Sequence, residues 1–151
     1  MFRGVTTLNL DAKGRMAIPT RHRDRLRECC ASKLVITVDK DRCLLLYPEP
    51  EWAVIERKLD ALPSFNKAAR MLQRLYIGHA HEVEMDAQGR ISVPPELREF
   101  AGLDKRVALV GQGKKLELWD EQLWNSKRDE WLGEVNLDEL ELPSDLESLS
   151  I

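Results

Sequence analysis

Residues 11–23 of the chain read DAKGRMAIPTRHR, and residues 86–98 read DAQGRISVPPELR. Six of the thirteen positions are identical at an offset of 75 residues. A second matching pair, LLLYPEPEW at 44–52 and LELWDEQLW at 116–124, follows in the same order at an offset of 72. Two ordered matches indicate an internal repeat. The shorter second offset predicts that the second copy has lost three residues between its short helix and its third strand.

Each copy has the pattern of two short strands joined by a tight turn. Residues 5–10 and 83–85 lead into the two Asp-x-x-Gly turns, and residues 15–18 and 90–93 return with apolar side chains at every second position. Aspartate can accept hydrogen bonds from the turn amides, and glycine can supply the positive φ of a bulged turn. The pattern therefore predicts one hairpin in each copy.

The segments after each hairpin predict short helices and two more strands. Pro19 and Pro94 can begin a helix because its first turn needs no N–H donor. Strands are predicted at 34–38 with 43–47 and at 107–110 with 116–119. Apolar residues at helical spacing predict a helix over 52–62 and another over 65–77. The fold class is mostly β with short helices (α+β).

The predicted organisation has four parts. They are a first module at 5–52, a helical linker at 53–80, a second module at 81–124, and a helix with an acidic tail at 125–151. Residues 129–151 hold eight acidic side chains and no basic one, which is typical of a mobile tail.

The net charge of −3 conceals an uneven distribution. Residues 1–75 carry 15 basic and 9 acidic side chains, whereas residues 76–151 carry 8 and 17. Seven of the basic side chains lie within the first 27 residues. Because nucleic-acid binding depends on local potential, the acidic total does not exclude DNA as a partner.

Other features favour a reduced, cytoplasmic protein without a membrane span. No apolar stretch approaches the roughly 18–20 residues that a membrane helix needs, and the N-terminus has no signal-like pattern. The three cysteines include the adjacent pair Cys29 and Cys30, which are too cramped for an ordinary disulfide between them. We therefore expect reduced thiols.

The sequence gives little support to an enzyme or a metal site. It has no Gly-rich phosphate loop, no H-E-x-x-H and no G-x-S-x-G. His79 and His81 form a lone H-x-H with no Cys-x-x-Cys partner, and His22 has no nucleophile at a fixed spacing. We expect no catalysis, no metal and no cofactor.

The two Asp-x-x-Gly-Arg turns are the candidate DNA-binding elements. Arg15 and Arg90 follow the turn glycines directly, so each guanidinium can extend from a hairpin tip toward phosphate or guanine. Four residues are predicted to support the loops rather than to touch DNA: Asp11, Gly14, Asp86 and Gly89. Alternatively, each motif is only a tight turn with a solvated arginine.

The loop tips differ, so the two loops need not read DNA equally. Lys13 can contact phosphate, whereas its counterpart Gln88 can bond either phosphate or a base edge. Arg3 and Arg23 are further candidates for DNA contacts, although each is open to the simpler interpretation of a solubilising surface charge. The excess of positive charge favours the first loop as the stronger contact.

These residues resemble the MraZ family of bacterial regulators. The resemblance covers about residues 1–124 and rests on "FRG" at 2–4, "NLDAKGR", "LLLYPEPEW", "GHA" at 78–80, "MDAQGR" and "LELWDE". It implies two AbrB/SpoVT-type modules that form a swapped-hairpin β-barrel within one chain. The family's Asp-x-x-x-Arg motif corresponds to Asp11 with Arg15 and to Asp86 with Arg90.

The resemblance also implies a function. Such proteins form ring-like homo-oligomers, commonly octamers, and bind short direct repeats in double-stranded DNA. The implied site is the promoter of the division and cell-wall gene cluster, including the protein's own gene, where the family acts mainly as a repressor; the implied location is the cytoplasm, associated with the nucleoid. Two alternatives remain at this point: an AbrB-fold antitoxin that binds DNA and a toxin through the tail at 136–151, and a protein–protein scaffold.

Overall fold

The computed structural model describes residues 1–134, which fall in two compact units, Met1–Glu121 and the described part of Gln122–Ile151. The strands are β1 (Phe2–Asn9), β2 (Arg15–Ala17), β3 (Lys33–Val38), β4 (Leu44–Pro48), β5 (His81–Glu84), β6 (Arg90–Ser92), β7 (Arg106–Gly113) and β8 (Lys115–Asp120). The helices are α1 (Thr20–Cys30), α2 (Glu49–Asp60), α3 (Lys67–Leu72), α4 (Pro95–Phe100) and α5 (Glu121–Glu134). None of the described helices is long and apolar enough to cross a membrane. The predicted α+β class is confirmed.

The two repeats exchange strands within one sheet. Six antiparallel strands lie in the order β1–β7–β8–β4–β3–β5. The first strand of each repeat pairs with the third strand of the other, β1 with β7 and β5 with β3. The order is unchanged when the repeats are interchanged, so the sheet has an approximate internal twofold axis. The predicted exchange between repeats is confirmed.

The sheet does not close into a barrel, and this part of the prediction is wrong. β1 and β5 are its two edges, while β2 and β6 pair only with each other as a separate two-stranded ribbon. Each ribbon strand contributes three paired residues. Pro19 and Pro94 follow closely and lack the N–H that a longer ladder needs. Strands this short cannot bridge the two edges of the sheet.

The main core lies between the sheet and the ribbon. Met16 and Ile91 oppose each other in the ribbon, and both are buried. Leu26 of α1 and Leu97 of α4 join them in a cluster with buried residues of the central strands. Because successive strand residues face opposite sides, the neighbours of Met16 and Ile91 point outward. The core thus holds one face of the ribbon and leaves the other exposed.

The interrepeat helices lie close to the predicted positions, but their bounds differ, and α2 runs over Glu49–Asp60 rather than 52–62. α2 buries Trp52, whose ring lies 5.7 Å from that of Tyr47 on the sheet. The next helix begins at Lys67 rather than at Phe65, because Asn66 caps it by accepting a hydrogen bond from Ala69 N–H at 3.1 Å. Phe65 lies outside the helix and is 89% exposed. A π-helical turn, Gln73–Ile77, continues α3.

The strand pairing shows in which segments the second repeat is shorter than the first. Leu34 pairs with Pro48, and Val107 pairs with Asp120. Since Pro48 and Asp120 are equivalent at the offset of 72, the third strands are offset by 73. Two residues are therefore lost between helix and third strand and one in the following hairpin, so the prediction that all three are lost before the third strand is wrong in part. The β7–β8 turn, in which Gly113 has φ +79°, is correspondingly tighter.

In the second unit, the described residues lie in α5. Trp124 and Trp131 contact each other edge to face, with ring centroids 5.9 Å apart. The predicted acidic tail lies largely outside the described residues. The module boundaries given above stay predictions.

Candidate nucleic-acid interface

Residues 11–15 (loop 1) are organised around one carboxylate. Asp11 Oδ1 accepts hydrogen bonds from the N–H groups of Lys13 and Arg15 at 2.9 and 2.8 Å. Asp11 Oδ2 accepts from Arg15 Nε at 2.8 Å. The Asp11 carbonyl accepts from Gly14 N–H at 3.0 Å, and Gly14 has φ +81°. One aspartate therefore shapes the turn and orients the arginine side chain.

Residues 86–90 (loop 2) repeat this arrangement. Asp86 Oδ1 accepts from the N–H groups of Gln88 and Arg90, both at 2.9 Å, and Oδ2 accepts from Arg90 Nε at 3.2 Å. Gly89 has φ +77° and donates to the Asp86 carbonyl at 3.0 Å. The loop frames match, so the difference between them lies in the tips, Lys13 and Gln88.

The hydrogen bonds keep both aspartates ionised. The backbone N–H of Arg15 lowers the pKa of Asp11 below its ordinary value, and that of Arg90 does the same for Asp86. Each carboxylate occupies only the Nε side of its arginine. Among the described residues, no hydrogen bond takes up the Nη groups of Arg15 or Arg90. Those two-nitrogen edges can still meet an acceptor pair bidentately.

The ribbon brings the two arginines together. Arg15 pairs with Ser92, and Ala17 pairs with Arg90. Arg15 and Arg90 are therefore diagonal neighbours on one face, roughly 7–8 Å apart by sheet geometry. Ala17 and Ser92 share that face and are exposed, and each arginine side chain is 36% exposed. The ribbon thus places two guanidinium groups from distant parts of the sequence on one surface.

Each loop is held by the other repeat. Ile18 N–H donates to the carbonyl of Gly89 at 2.8 Å, and Val93 N–H donates to that of Gly14 at the same distance. Neither loop is therefore positioned by its own hairpin alone.

Arg23 and Arg98 complete this cross-bracing. Arg23 Nε donates to the Ile18 carbonyl at 2.5 Å, and the same side chain fills the space beside Gly89, where a Cβ atom would collide with it. Arg98 Nε donates to the Val93 carbonyl at 3.1 Å, and its side chain fills the corresponding space beside Gly14. Both arginines are half-buried.

Arg23 was predicted from the sequence as a site residue, whereas its counterpart Arg98 was not. Arg23, predicted to contact DNA, has a clear structural role, and its DNA contact stays a prediction. Arg98 was not among the predicted site residues, although its identity with Arg23 across the repeat was a signal. The structure explains that identity, since each arginine braces the opposite loop.

The other N-terminal arginines lie elsewhere. Arg3 is exposed, and its partner in the sheet is Gln112. Arg3 lies six residues before Asn9 in β1, a distance of about 20 Å along an extended strand. Arg21 donates to Thr6 Oγ1 at 2.6 Å. The structure therefore does not bring Arg3 to the ribbon, and the DNA contact predicted for it remains untested.

The histidines are engaged in packing and polar contacts. His81 Nε2 lies 2.6 Å from Glu96 Oε1, and its Nδ1 lies 2.9 Å from the His79 carbonyl. His22 is buried against the Phe2 ring, and burial lowers its pKa. Within residues 1–134 no group of three His, Cys, Asp or Glu side chains is placed to hold a metal ion.

Comparison with known proteins divides the chain in the same way as the internal repeat. A family model described as "MraZ protein, putative antitoxin-like" matches the chain twice, at residues 1–75 and 76–139. The chain belongs to the MraZ family. The resemblance inferred from the loop motifs is thereby confirmed.

MraZ relatives match the chain over nearly its whole length. Proteins named transcriptional regulator MraZ from Halorhodospira halophila and Thioalkalivibrio sulfidiphilus are 59% and 61% identical to it, each over 100% of both chains. The protein of that name from Methylococcus capsulatus is 58% identical over 93% of both chains.

Proposed function

We propose that the chain is a sequence-specific, DNA-binding transcription regulator that reads double-stranded DNA with loops 1 and 2. One observation carries the proposal: Arg15 and Arg90, each oriented by its own aspartate, share the exposed face of one ribbon. The printed names of the relatives, transcriptional regulator MraZ, support the same conclusion. No catalytic role is proposed.

The ribbon offers a simple mode of recognition. A two-stranded β-ribbon fits the major groove of B-DNA, which is about 12 Å wide. Arg15 and Arg90 would present their Nη edges to guanine O6 and N7. Lys13 would neutralise a phosphate, while Gln88 would bond a phosphate or a base edge. Contacts by Arg3 and Arg23 would be to phosphates and would position the protein.

The biological setting is proposed from the family resemblance. The protein would act mainly as a repressor at short direct repeats in the promoter of the division and cell-wall gene cluster, including its own gene. It would be cytoplasmic and nucleoid-associated, and would assemble as a ring-shaped homo-oligomer, an octamer in the family's common form. Such an array suits a small reader, because linked weak contacts on repeated boxes gain affinity through effective concentration.

A mobility-shift titration on repeat-containing promoter DNA, run over a series of salt concentrations, tests the proposal. Arg15→Ala and Arg90→Ala should each weaken binding by about 1–3 kcal/mol and relax specificity at one position if the arginine reads a base. If the arginine touches only phosphate, binding should weaken for every sequence and the salt slope should fall by about one.

Arg57→Ala is a matched control, since Arg57 is exposed on α2, away from the ribbon. It should leave binding unchanged. Unaltered binding by both folded loop variants would overturn the proposed role of the loops. No mobility shift for the unsubstituted chain at physiological salt would favour the scaffold instead.

An antitoxin is the second candidate, because the matched family's description includes the words "antitoxin-like". An antitoxin would co-purify with a small basic partner in a fixed ratio. Isolation of the chain with no such partner, together with specific DNA binding, would support regulation alone.

A further inference from the structure

The immediate surroundings of the two loops differ, because each is built partly from the other repeat. Leu10 N–H, just before loop 1, donates to the carbonyl of Lys105 at 2.8 Å. Met85 N–H, just before loop 2, donates to the carbonyl of Ser32 at 2.9 Å. Lys105 and Ser32 are therefore structural equivalents, and only loop 1 has a cation at this place.

Other equivalent positions strengthen the difference in charge. The repeats differ at four positions near the loops, which beside loop 1 are Asn9, Lys13, Asp104 and Lys105, with a net charge of +1. Their counterparts around loop 2 are Glu84, Gln88, Ala31 and Ser32, with a net charge of −1. Arg106 and Lys33, which pair with Asn9 and Glu84, are both cations and do not change the comparison. The loops therefore have the same backbone frame, but the surroundings of loop 1 carry two more units of positive charge.

Lys105 borders an open groove beside loop 1. The groove has a volume of about 620 Å³. It is lined by Asp11 and Ala12 of loop 1, by Asn9 and Leu10 just before the loop, and by Arg98, Leu103, Asp104 and Lys105. Lys105 is exposed and has a long flexible side chain, so its ammonium group can turn toward a phosphate. Arg98 adds a second positive charge to the lining, and Asp11 and Asp104 add two carboxylates.

We propose that Lys105, from the second repeat, is a phosphate contact of loop 1, and that the unequal surroundings fix the orientation of one protomer on its DNA box. This inference rests on the proposed DNA-binding function. A reader with true twofold symmetry would bind a box equally well in both directions. Here the loop 1 side carries two more units of positive charge than the loop 2 side, so it attracts the phosphate backbone more strongly. One orientation is therefore favoured on a box that is not palindromic.

A salt series with matched lysine variants tests the phosphate contact. Lys105→Ser removes one cation beside loop 1 and gives it the residue found beside loop 2. The slope of log affinity against log salt should become shallower by about 0.9, as expected for the loss of one phosphate contact. Lys114→Ser removes an equal charge from the exposed β7–β8 turn, at the opposite end of β7, and should leave the slope unchanged. Equal slopes for the two variants would overturn the role of Lys105.

Site-directed crosslinking tests the orientation. A photoreactive residue replaces either Ala12 or Ala87, which are equivalent and exposed at the two loop tips. The two proteins should crosslink to opposite sides of a single box, in a fixed order. Crosslinks from each position to both sides in equal amounts would overturn the fixed orientation.

The unsubstituted chain and Arg15→Ala separate this inference from the function on which it rests. If the unsubstituted chain binds no DNA, both fail. Three results together would remove only the contact proposed for Lys105 and leave the DNA-binding function standing. The unsubstituted chain binds DNA, Arg15→Ala weakens that binding, and Lys105→Ser behaves like Lys114→Ser.

Discussion

Gly14→Ala tests whether the close fit between the two repeats stabilises the fold. Gly14 has φ +81°, and an added Cβ would lie 2.6 Å from Arg98 Nε and 3.0 Å from the Val93 carbonyl oxygen. Alanine would therefore displace the Arg98 side chain and disturb its hydrogen bond to Val93. The change acts on the contact between repeats rather than on the Asp11 carboxylate itself.

The expected cost has two parts. Placing alanine in the left-handed region costs about 1–2 kcal/mol. Losing a hydrogen bond from a charged donor, here that of Arg98, costs about a further 1.5–3 kcal/mol. The restriction of the unfolded chain by alanine returns about 0.4–1 kcal/mol. We expect Gly14→Ala to lower the free energy of unfolding by about 1.5–4.5 kcal/mol.

Urea denaturation followed by circular dichroism measures this free energy, and Gly102→Ala is the matched control. Gly102 also has positive φ, +61°, but nothing lies within 4 Å of an added Cβ. It should therefore show the backbone cost without the steric one. In an Arg98→Ala background, Gly14→Ala should cost less than in the unsubstituted chain. If Gly14→Ala is no more destabilising than Gly102→Ala, the proposed fit between the repeats is wrong.

Two further predictions concern the same ribbon. Because hydrogen bonds lower the pKa values of Asp11 and Asp86, their contribution to stability is complete above the ordinary aspartate pKa of about 3.9 and is lost as the pH falls through the lower folded values. In urea titrations between pH 7 and pH 2.5, the Asp11→Asn/Asp86→Asn variant should lose less stability at the acid end than the unsubstituted chain; parallel curves would contradict this. Ile91→Ala should lower the unfolding free energy by about 2–5 kcal/mol, since Ile91 is 1% exposed, whereas Ser92→Ala on the exposed face should change it by less than about 0.5 kcal/mol. Equal effects of the two would show that the ribbon does not pack as described.

Much of the local structure of the loops could be predicted from sequence. The hydrogen bonds of Asp11 reach residues only two to four positions away, so residue types at fixed spacing are sufficient to indicate them. The same holds for Asp86 in loop 2 and for the prolines that end the ribbon strands. The repeat itself also indicated that loop 2 would copy the frame of loop 1.

The limits of the sequence reasoning appear where the chain contacts itself at long range. Arg23 was predicted only as a DNA contact, which stays a prediction, and its bracing of the opposite loop beside Gly89 was not foreseen. Lys105 was not predicted as a site residue, because Leu10, to which its carbonyl is hydrogen-bonded, lies 95 residues earlier in the chain. Closure into a barrel was expected from family resemblance, yet the pairing leaves β1 and β5 as edges.

By itself, the sequence determined the two Asp-x-x-Gly-Arg loops, their shared backbone frame and the short strands that follow them. It could do so because those features depend on nearby hydrogen bonds, on glycine at positive φ and on proline without an N–H. Only the tertiary structure decided that Arg15 and Arg90 share one face, that each loop is held by the other repeat, and that the surroundings of the loops differ in charge. Those facts depend on strand pairing and burial between distant segments, which no local pattern specifies.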